Sequence, residues 1–133
     1  MNTEKTVLIA EPAGMLSKGL KPFLSENGLS AIQVGTQKET LLTLQRQRVH
    51  VMILDADLLE EDCAFISIIK GMEEGLPIII CAETNTPEFE IRIRQKRIFY
   101  YHIKSFGIQD LEMAVSNAIL KVSQQAWRTT TCP

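Results

Sequence analysis

The sequence predicts an α/β domain in which a parallel sheet of five strands lies between two layers of helices. Short, mostly apolar runs recur at residues 6–10, 31–34, 51–54, 77–82 and 99–103, and those at 6–10, 51–54 and 77–82 are typical of strands buried on both faces. Stretches with apolar residues at helical spacing separate these runs. Because strands that alternate with helices pair in parallel, we expect one sheet with helices on both faces.

Length and composition describe one globular domain. The 133 residues are 45% apolar and 23% charged, which suits a chain with a core and not a disordered one. We expect a single domain with its core at about residues 5–123 and a loose tail from Trp127. The net charge of −2 argues against nucleic acid as a partner. No apolar run approaches the ~18 residues of a membrane helix, so we expect a cytoplasmic protein.

Most helices have local start or stop signals. The first contains Pro22, which predicts a kink, and stops near Gly28. The second begins at Thr36, which forms a capping box with Glu39 three residues later. Asp62 is expected to cap the third helix. The final helix is predicted from the apolar spacing after residue 110.

The fourth helix is the ambiguous element. Phe89, Ile91 and Ile93 alternate with charged residues, which is the period of a strand. However, the stretch lies between two strands, and parallel strands need a crossover connection. Residues 88–97 are therefore predicted to be helical, with Pro87 in the first turn.

The cysteines and histidines form no metal or disulfide pattern. Three scattered cysteines without a CxxC pair predict neither a disulfide framework nor a zinc site. Cys81 lies in an apolar run and is expected in the core. His50 and His102 have no partner at metal-binding spacing, so both are expected to be structural. The chain also lacks the GxSxG, GxxxxGK and GxGxxG motifs of hydrolase and nucleotide sites.

Three charged residues directly follow buried strands. Glu11 follows the first strand, Asp55 the third and Lys104 the fifth. In a flavodoxin-like (βα)5 three-layer sandwich, with strand order 2-1-3-4-5, the first and third strands are neighbours at the switch point where ligands bind. Two carboxylates and a lysine should therefore converge there. Carboxylates with water suit Mg²⁺, and a lysine suits a phosphoryl oxygen.

These motifs, in their order and spacing, resemble the receiver domain of bacterial two-component response regulators. The resemblance covers about residues 6–122. Residues 7–11 match the family's acidic strand, residues 51–55 its phosphoacceptor strand and residues 77–82 the strand before its switch hydroxyl. Residues 101–106 (YHIKSF) match its Tyr-x-x-Lys-Pro-Phe signature. The resemblance implies a phosphorelay signalling protein, not an enzyme, whose partner is a sensor kinase or a downstream effector.

The resemblance also implies a role for individual residues. Asp55 would be the phosphoacceptor, Lys104 the phosphoryl contact and Tyr101 the aromatic residue that turns inward. Glu11 and Asp55 would hold Mg²⁺, and the backbone carbonyl of Asp57 could complete the set. Two readings of Glu11 stay open, a metal ligand or a partner of Lys104, while Asp57 is expected mainly in a loop or cap.

Four departures from the family pattern predict that phosphorylation is impaired or lost. Pro12 takes the place of the second acid, and Ala82 takes the place of the switch hydroxyl. Glu83 puts a carboxylate at the mouth of the site, where it would repel phosphate. Ser105 replaces a proline that follows a cis bond in the family; because a non-proline cis bond costs roughly 3–4 kcal/mol, we expect a trans bond. Weak Mg²⁺ binding is expected.

Three hypotheses on function follow. The first is a divergent, atypical receiver that acts by protein–protein contact. The second is a working Mg²⁺-dependent phosphoacceptor that uses Glu11, Asp55 and Lys104. The third belongs to another class, a flavodoxin-like enzyme or ligand-binding domain, although the loops after the strands lack phosphate-binding glycines.

A basic and aromatic stretch leads into the fifth strand. Such a run is usually a solvated helix face, but basic residues beside aromatic ones also form interfaces. By resemblance, the fourth helix, fifth strand and fifth helix would form a homodimer or effector surface. The candidate interface residues are Arg92, Arg94, Lys96, Arg97, Phe99 and Tyr100.

Overall fold

The computed structural model contains one sheet of five parallel strands, and it describes residues 4–84 and 86–131, without the side chains of residues 125–131. The strand order is β2-β1-β3-β4-β5, as predicted. Every pair of neighbouring strands is parallel. The strands are β1 (Thr6–Ala10), β2 (Ser30–Val34), β3 (Val51–Asp55), β4 (Ile78–Ala82) and β5 (Tyr100–Ile103).

Five α-helices connect or follow the strands. They are α1 (Met15–Glu26), α2 (Gln37–Arg46), α3 (Ala64–Met72), α4 (Pro87–Arg94) and α5 (Ile108–Thr131). Short 3₁₀ turns follow β3 at Ala56–Leu58 and β5 at Lys104–Phe106. The helix predicted for the ambiguous stretch is confirmed as α4, with Pro87 in its first turn. In the described part of the chain, no helix is long and apolar enough to cross a membrane.

The fifth helix is longer than expected. α5 continues to Thr131 and so includes the start of the stretch from Trp127 that is expected to be a loose tail, while residues 132–133 lie outside the described part. The looseness of this tail stays a prediction. The sequence from residue 108 contains neither glycine nor proline before Pro133. Since those residues are the usual helix breakers, nothing local ends the helix earlier.

The sheet separates two apolar cores, which explains why β1, β3 and β4 are apolar without alternation, whereas β2, at the edge of the sheet, is only partly buried. On one face, side chains such as Leu8 and Met52 pack with α2, α3 and α4. On the other face, side chains such as Val7 and Ile53 pack with α1 and α5. All residues of β3 and β4 are buried. Cys81 is among them, as predicted.

Local caps agree with the sequence except at α3. Thr36 Oγ1 accepts a hydrogen bond from the Glu39 amide at 3.1 Å. In return, the Glu39 carboxylate accepts a hydrogen bond from the Gly35 amide at 2.9 Å. At α3 the cap position is Cys63 in a left-handed conformation, one residue later than predicted. The Asp62 carboxylate still accepts from the Ala64 amide at 3.1 Å.

His50 is structural, as expected. Its Nδ1 atom accepts a hydrogen bond from the Thr6 amide at 3.0 Å. The His50 amide in turn donates to the Thr6 carbonyl at 2.9 Å. These two bonds join the starts of β1 and β3 and so fix the register that places Glu11 beside Asp55 at the opposite edge.

Candidate functional site

The charged residues at the carboxyl ends of the strands share one face of the sheet. Side chains alternate along a strand, so Glu11, Asp55 and Lys104 follow the residues that face α1 and α5. Because Ala10 is paired with Leu54, Glu11 and Asp55 leave neighbouring strands at the same level. Glu11 is only 1% exposed and Asp55 only 3% exposed. The structure thus brings together the side chains that the sequence predicted to converge.

Lys104 is held by carboxylates. Its Nζ atom lies 2.7 Å from Asp55 Oδ2 and 3.6 Å from Glu83 Oε1. The other oxygen of Asp55 accepts a hydrogen bond from the Asp57 amide at 2.8 Å, which begins the 3₁₀ turn after β3. Burial disfavours the charged lysine, but the hydrogen bond to Asp55 and its charge outweigh burial and raise the pKa of Lys104 above its ordinary value.

Glu11 has a role that the sequence did not suggest. Its Oε1 atom accepts a hydrogen bond from the Ser17 amide at 3.0 Å, in the first turn of α1. Gly14, at the cap position of that helix, has no side chain that could do so. The alternative of a Glu11–Lys104 pair is wrong, because Lys104 binds Asp55 and Glu83 instead. The cap was missed because its donor lies six residues away, outside the usual capping spacing.

His102 belongs to a hydrogen-bonded group that the sequence reading missed. Its Nδ1 atom lies 2.8 Å from Asp110 Oδ2, and the Tyr100 hydroxyl donates to both oxygens of Asp110 at 2.9 and 3.1 Å. The hydrogen bond with His102 lowers the pKa of the Asp110 carboxyl. The hydrogen bond to Asp110 raises the pKa of Tyr100. The positions of Tyr100, His102 and Lys104 at every second residue were the available signal, since they share one face.

These side chains surround a cleft of about 350 Å³. One wall is polar and is formed by Glu11, Asp55, Asp57, Glu83, His102 and Lys104. The rest of the lining is an apolar wall formed by Pro12, Ala13, Met15, Leu16 and Ile108. The cleft lies at the carboxyl edge of β1, β3, β4 and β5, where open α/β sheets place their ligands.

Two of the predicted departures have structural counterparts. Ala82, at the end of β4, is buried and carries no hydroxyl group. No cis peptide bond occurs among the residues described, so the bond before Ser105 is trans, as expected.

Tyr101 packs on the opposite face of the sheet from Lys104. It is 5% exposed and belongs to the core beside α3 and α4. Its hydroxyl group is buried and has no hydrogen-bond partner within the described ranges. Burial raises the pKa of Tyr101. The Arg94 guanidinium lies 5.7 Å from the ring centre and is paired with Glu90 at 2.7 Å.

The basic residues of the candidate interface make contacts within the chain. Arg92 Nη1 donates to the Glu61 carbonyl at 2.9 Å, in the loop before α3. Lys96 Nζ donates to the Ser67 hydroxyl at 2.9 Å, within α3. These bonds tie α4 to α3. The interface role of this stretch stays a prediction.

The fold and the Asp55–Lys104 pair define a receiver-type signalling domain. The chain belongs to the response regulator receiver domain family, since the sequence model of that family matches residues 7–116. It is a receiver domain of two-component signalling. The chain matches no curated protein.

Solved receiver structures share this fold at low sequence identity. One is a CheY-like response regulator receiver domain protein from Methanospirillum hungatei, with 14% identity and a TM-score of 0.81 over 92% of this chain and 99% of that one. Another is the signal receiver domain of a putative LuxO repressor protein from Vibrio parahaemolyticus, with 16% identity and a TM-score of 0.82 over 94% and 97%. At this identity the likeness shows the fold alone.

The Mg²⁺ ion that the family implies does not fit the side chains as they are arranged. Pro12 offers no oxygen ligand from its side chain, and Glu11 Oε1 is bound by the Ser17 amide. Both oxygens of Asp55 accept hydrogen bonds, one of them from Lys104. Among the described residues, no group of three or more His, Cys, Asp or Glu side chains is placed to hold a metal ion. Mg²⁺ is usually held by one or two carboxylates together with waters, and both candidate carboxylates here, Glu11 and Asp55, are engaged by other groups of the chain.

Proposed function

We propose that this receiver domain signals by protein–protein contact, is not an enzyme, and has impaired or lost phosphorylation at Asp55. The observation that carries the proposal is the end of β4, where Ala82 offers no hydroxyl and Glu83 places a second carboxylate 3.6 Å from the Lys104 ammonium, which Asp55 already pairs with at 2.7 Å. Lys104, the group that would bind phosphoryl oxygens, is thus already neutralised inside the chain.

Charge in the cleft opposes phosphorylation. A phosphoryl group on Asp55 would carry about −2 charges in place of the single charge of the carboxylate, beside Glu11, Asp57 and Glu83. Glu83 alone, being largely exposed, would contribute repulsion of about 1 kcal/mol or less. Buried Glu11 would contribute more, because water screens it less. Since the carboxylates do not form a Mg²⁺ site, we propose that Mg²⁺ binds weakly and that this repulsion stays uncompensated.

The groups that would read a phosphoryl group are also altered. Ala82 cannot donate a hydrogen bond, and losing one bond to a charged group costs about 1.5–3 kcal/mol. Since the two conformational states of a receiver would differ by only a few kcal/mol, losing this bond would remove most of the free energy by which phosphorylation favours one of them. Tyr101 is buried, and the Arg94 guanidinium lies over its ring. We infer that the surface of α4, β5 and α5 keeps one conformation whatever the state of Asp55.

The proposed partners follow from this surface. A sensor kinase or a downstream effector would bind at α4, β5 and α5, and the same surface could join two copies as a homodimer. Arg97 is the residue to test first, because it is a cationic residue exposed on this surface just before β5. The proposed compartment is the cytoplasm.

The test is treatment of the protein with acetyl phosphate and Mg²⁺, followed by intact mass spectrometry. We expect a substoichiometric acylphosphate on the wild type and more on the double variant Ala82→Thr/Glu83→Ala, which restores a hydroxyl and removes a carboxylate. Glu88→Gln is the matched control, because it removes an exposed carboxylate outside the cleft. Stoichiometric labelling of wild-type Asp55 would overturn the proposal.

A working phosphoacceptor is the second candidate. It is favoured by one observation, the presence of Asp55 and Lys104 at hydrogen-bond distance in a family where both act in phosphoryl transfer. Mg²⁺ affinity separates the two candidates. Isothermal titration that shows tight Mg²⁺ binding, abolished by Asp55→Asn, would favour this second function.

A further inference from the structure

We propose that the cleft binds an organic cation, namely an amidinium, guanidinium or ammonium group that carries a small apolar body. The inference rests on the proposed function in one respect: Lys104 stays paired with Asp55 and is not released to a phosphoryl group. The juxtaposition that suggests it is an acidic wall, a histidine acceptor and an apolar wall around a single cleft.

The charge of the cleft is negative. Four carboxylates and one ammonium line it, which gives a net charge of −3. The ammonium of Lys104 already contacts Asp55 and Glu83 and therefore adds little repulsion toward a second cation. Glu11 and Asp55 are almost fully buried, so their field is weakly screened by water. The cleft thus favours a cation over an anion.

His102 gives independent support for a ligand with hydrogen-bond donors. Its Nδ1 atom is bonded to the Asp110 carboxylate, which only accepts, so Nδ1 carries the proton. With Nδ1–H as its only N–H group, the ring would present Nε2 as an acceptor. Nε2 makes no hydrogen bond to any residue that the structure describes, although the ring is 2% exposed and lines the cleft. A donor from a ligand would satisfy this atom.

The apolar wall would contact the uncharged, apolar part of the ligand. Met15 is 76% exposed and Ile108 37% exposed, whereas Leu16 is 8% exposed. Ile108 packs against α1, since a Cβ added at Gly19 would lie 3.4 Å from its Cδ1 atom. The volume of about 350 Å³ falls at the small end of ligand pockets, about 300–1,000 Å³, which are mostly apolar with a few placed polar groups. A body the size of one aromatic ring fits this description.

Two other ligand classes suit the cleft less well. An anion would find one cationic side chain, Lys104, which is already bound to carboxylates. A bare metal ion would find no group of three ligating side chains in the part of the chain that could be searched. An organic cation needs neither a free cationic side chain nor a group of three metal ligands, because its N–H groups can each bind a different acceptor in the cleft.

The experiment compares three probes of one shape and different charge. Benzamidinium, benzamide and benzoate are titrated while NMR follows the His102 ring and the methyl groups of Met15 and Ile108. We expect benzamidinium to bind most tightly and benzoate least, with weaker binding of benzamidinium at high salt. Equal affinity for the three probes, or tighter binding of benzoate, would overturn the proposal.

Matched variants locate the site. Met15→Ser removes apolar wall, and Met113→Ser removes a methionine of similar exposure on the surface of α5. Glu83→Gln removes a carboxylate at the mouth and is expected to weaken benzamidinium about fivefold or less, because Glu83 is largely exposed. Glu88→Gln is its control. Equal effects of a variant and its control would contradict the proposal.

Further measurements identify the source of the cation and distinguish failure of the cation site from failure of the proposed function. Acetyl-arginine-amide bound at least as tightly as benzamidinium supports an arginine side chain of a partner protein; weaker binding supports a small-molecule ligand. Stoichiometric phosphorylation by acetyl phosphate with benzamidinium binding intact would remove the proposed function alone. Absence of both phosphorylation and benzamidinium binding would remove the cation site alone.

Discussion

Replacement of Lys104 by methionine is expected to destabilise the protein by about 2–4 kcal/mol. At 2.7 Å, the pair with Asp55 has a Coulomb energy of about 6 kcal/mol for an effective dielectric constant near 20. Desolvation of the lysine, whose side chain is 23% exposed, offsets part of that energy. Methionine would leave the buried Asp55 carboxylate beside Glu11 with only the Asp57 amide as a partner.

The opposite replacement should cost less. Asp55→Asn keeps an oxygen that accepts from the Asp57 amide and reduces the crowding of carboxylates around the cleft. We expect the free energy of unfolding to fall by about 1 kcal/mol or less. The double variant Asp55→Asn/Lys104→Met should lose about as much stability as Asp55→Asn alone, and not the sum of the two single losses.

Urea denaturation at neutral pH, followed by circular dichroism, measures these differences, provided that the slope of the transition stays constant. The reasoning about a buried pair would be refuted if Lys104→Met lost less than about 0.5 kcal/mol of unfolding free energy, or if Asp55→Asn lost more than Lys104→Met. The raised pKa of Lys104 also predicts how the stability difference between wild type and Lys104→Met depends on pH. The pair contributes fully below the ordinary lysine value of 10.5 and is lost as pH rises through the folded value, so the difference between wild type and Lys104→Met should shrink in that alkaline range.

Three further predictions concern single hydrogen-bonded groups. Glu11→Ala should cost about 0.5–2 kcal/mol through loss of the Ser17 cap, whereas Glu11→Gln keeps an acceptor and should cost less in urea denaturation; equal losses would argue against the cap. Tyr101→Phe should leave stability unchanged or raise it by about 1 kcal/mol, because the buried hydroxyl has no partner among the described residues; a clear loss would contradict that assignment. Asp110 has a lowered pKa through its bond with His102, so it stabilises above its ordinary value of 3.8, and this contribution is lost as pH falls through the folded value. Asp110→Asn should therefore flatten the acid side of the stability curve measured by thermal unfolding.

Much of the fold could be predicted because its signals are local. Short, mostly apolar runs identified all five strands, and their alternation with helices gave a parallel sheet. The capping box at Thr36 was visible in four residues. The fourth helix shows the limit of local signals, since its charges alternate as in a strand and only the need for a crossover between β4 and β5 favoured a helix.

The positions of the site residues were also predictable, but their partners were not. A residue that directly follows a parallel strand must lie at the carboxyl edge, which placed Glu11, Asp55 and Lys104 together. Which carboxylate takes the lysine depends on side-chain reach across the sheet. Asp55 takes it at 2.7 Å, while Glu11 instead caps α1.

The sequence by itself determined the class of fold, the family and the groups missing from the phosphoryl site, because each depends on residue types at fixed positions along the strands. Only the tertiary structure decided how the remaining groups are used. The register pairs Asp55 with Cys81 and Cys81 with His102, which sets a carboxylate and an imidazole in one row across three strands that are far apart in sequence. Contacts of this kind form between strands and not along them, so spacing in the chain carries no record of them.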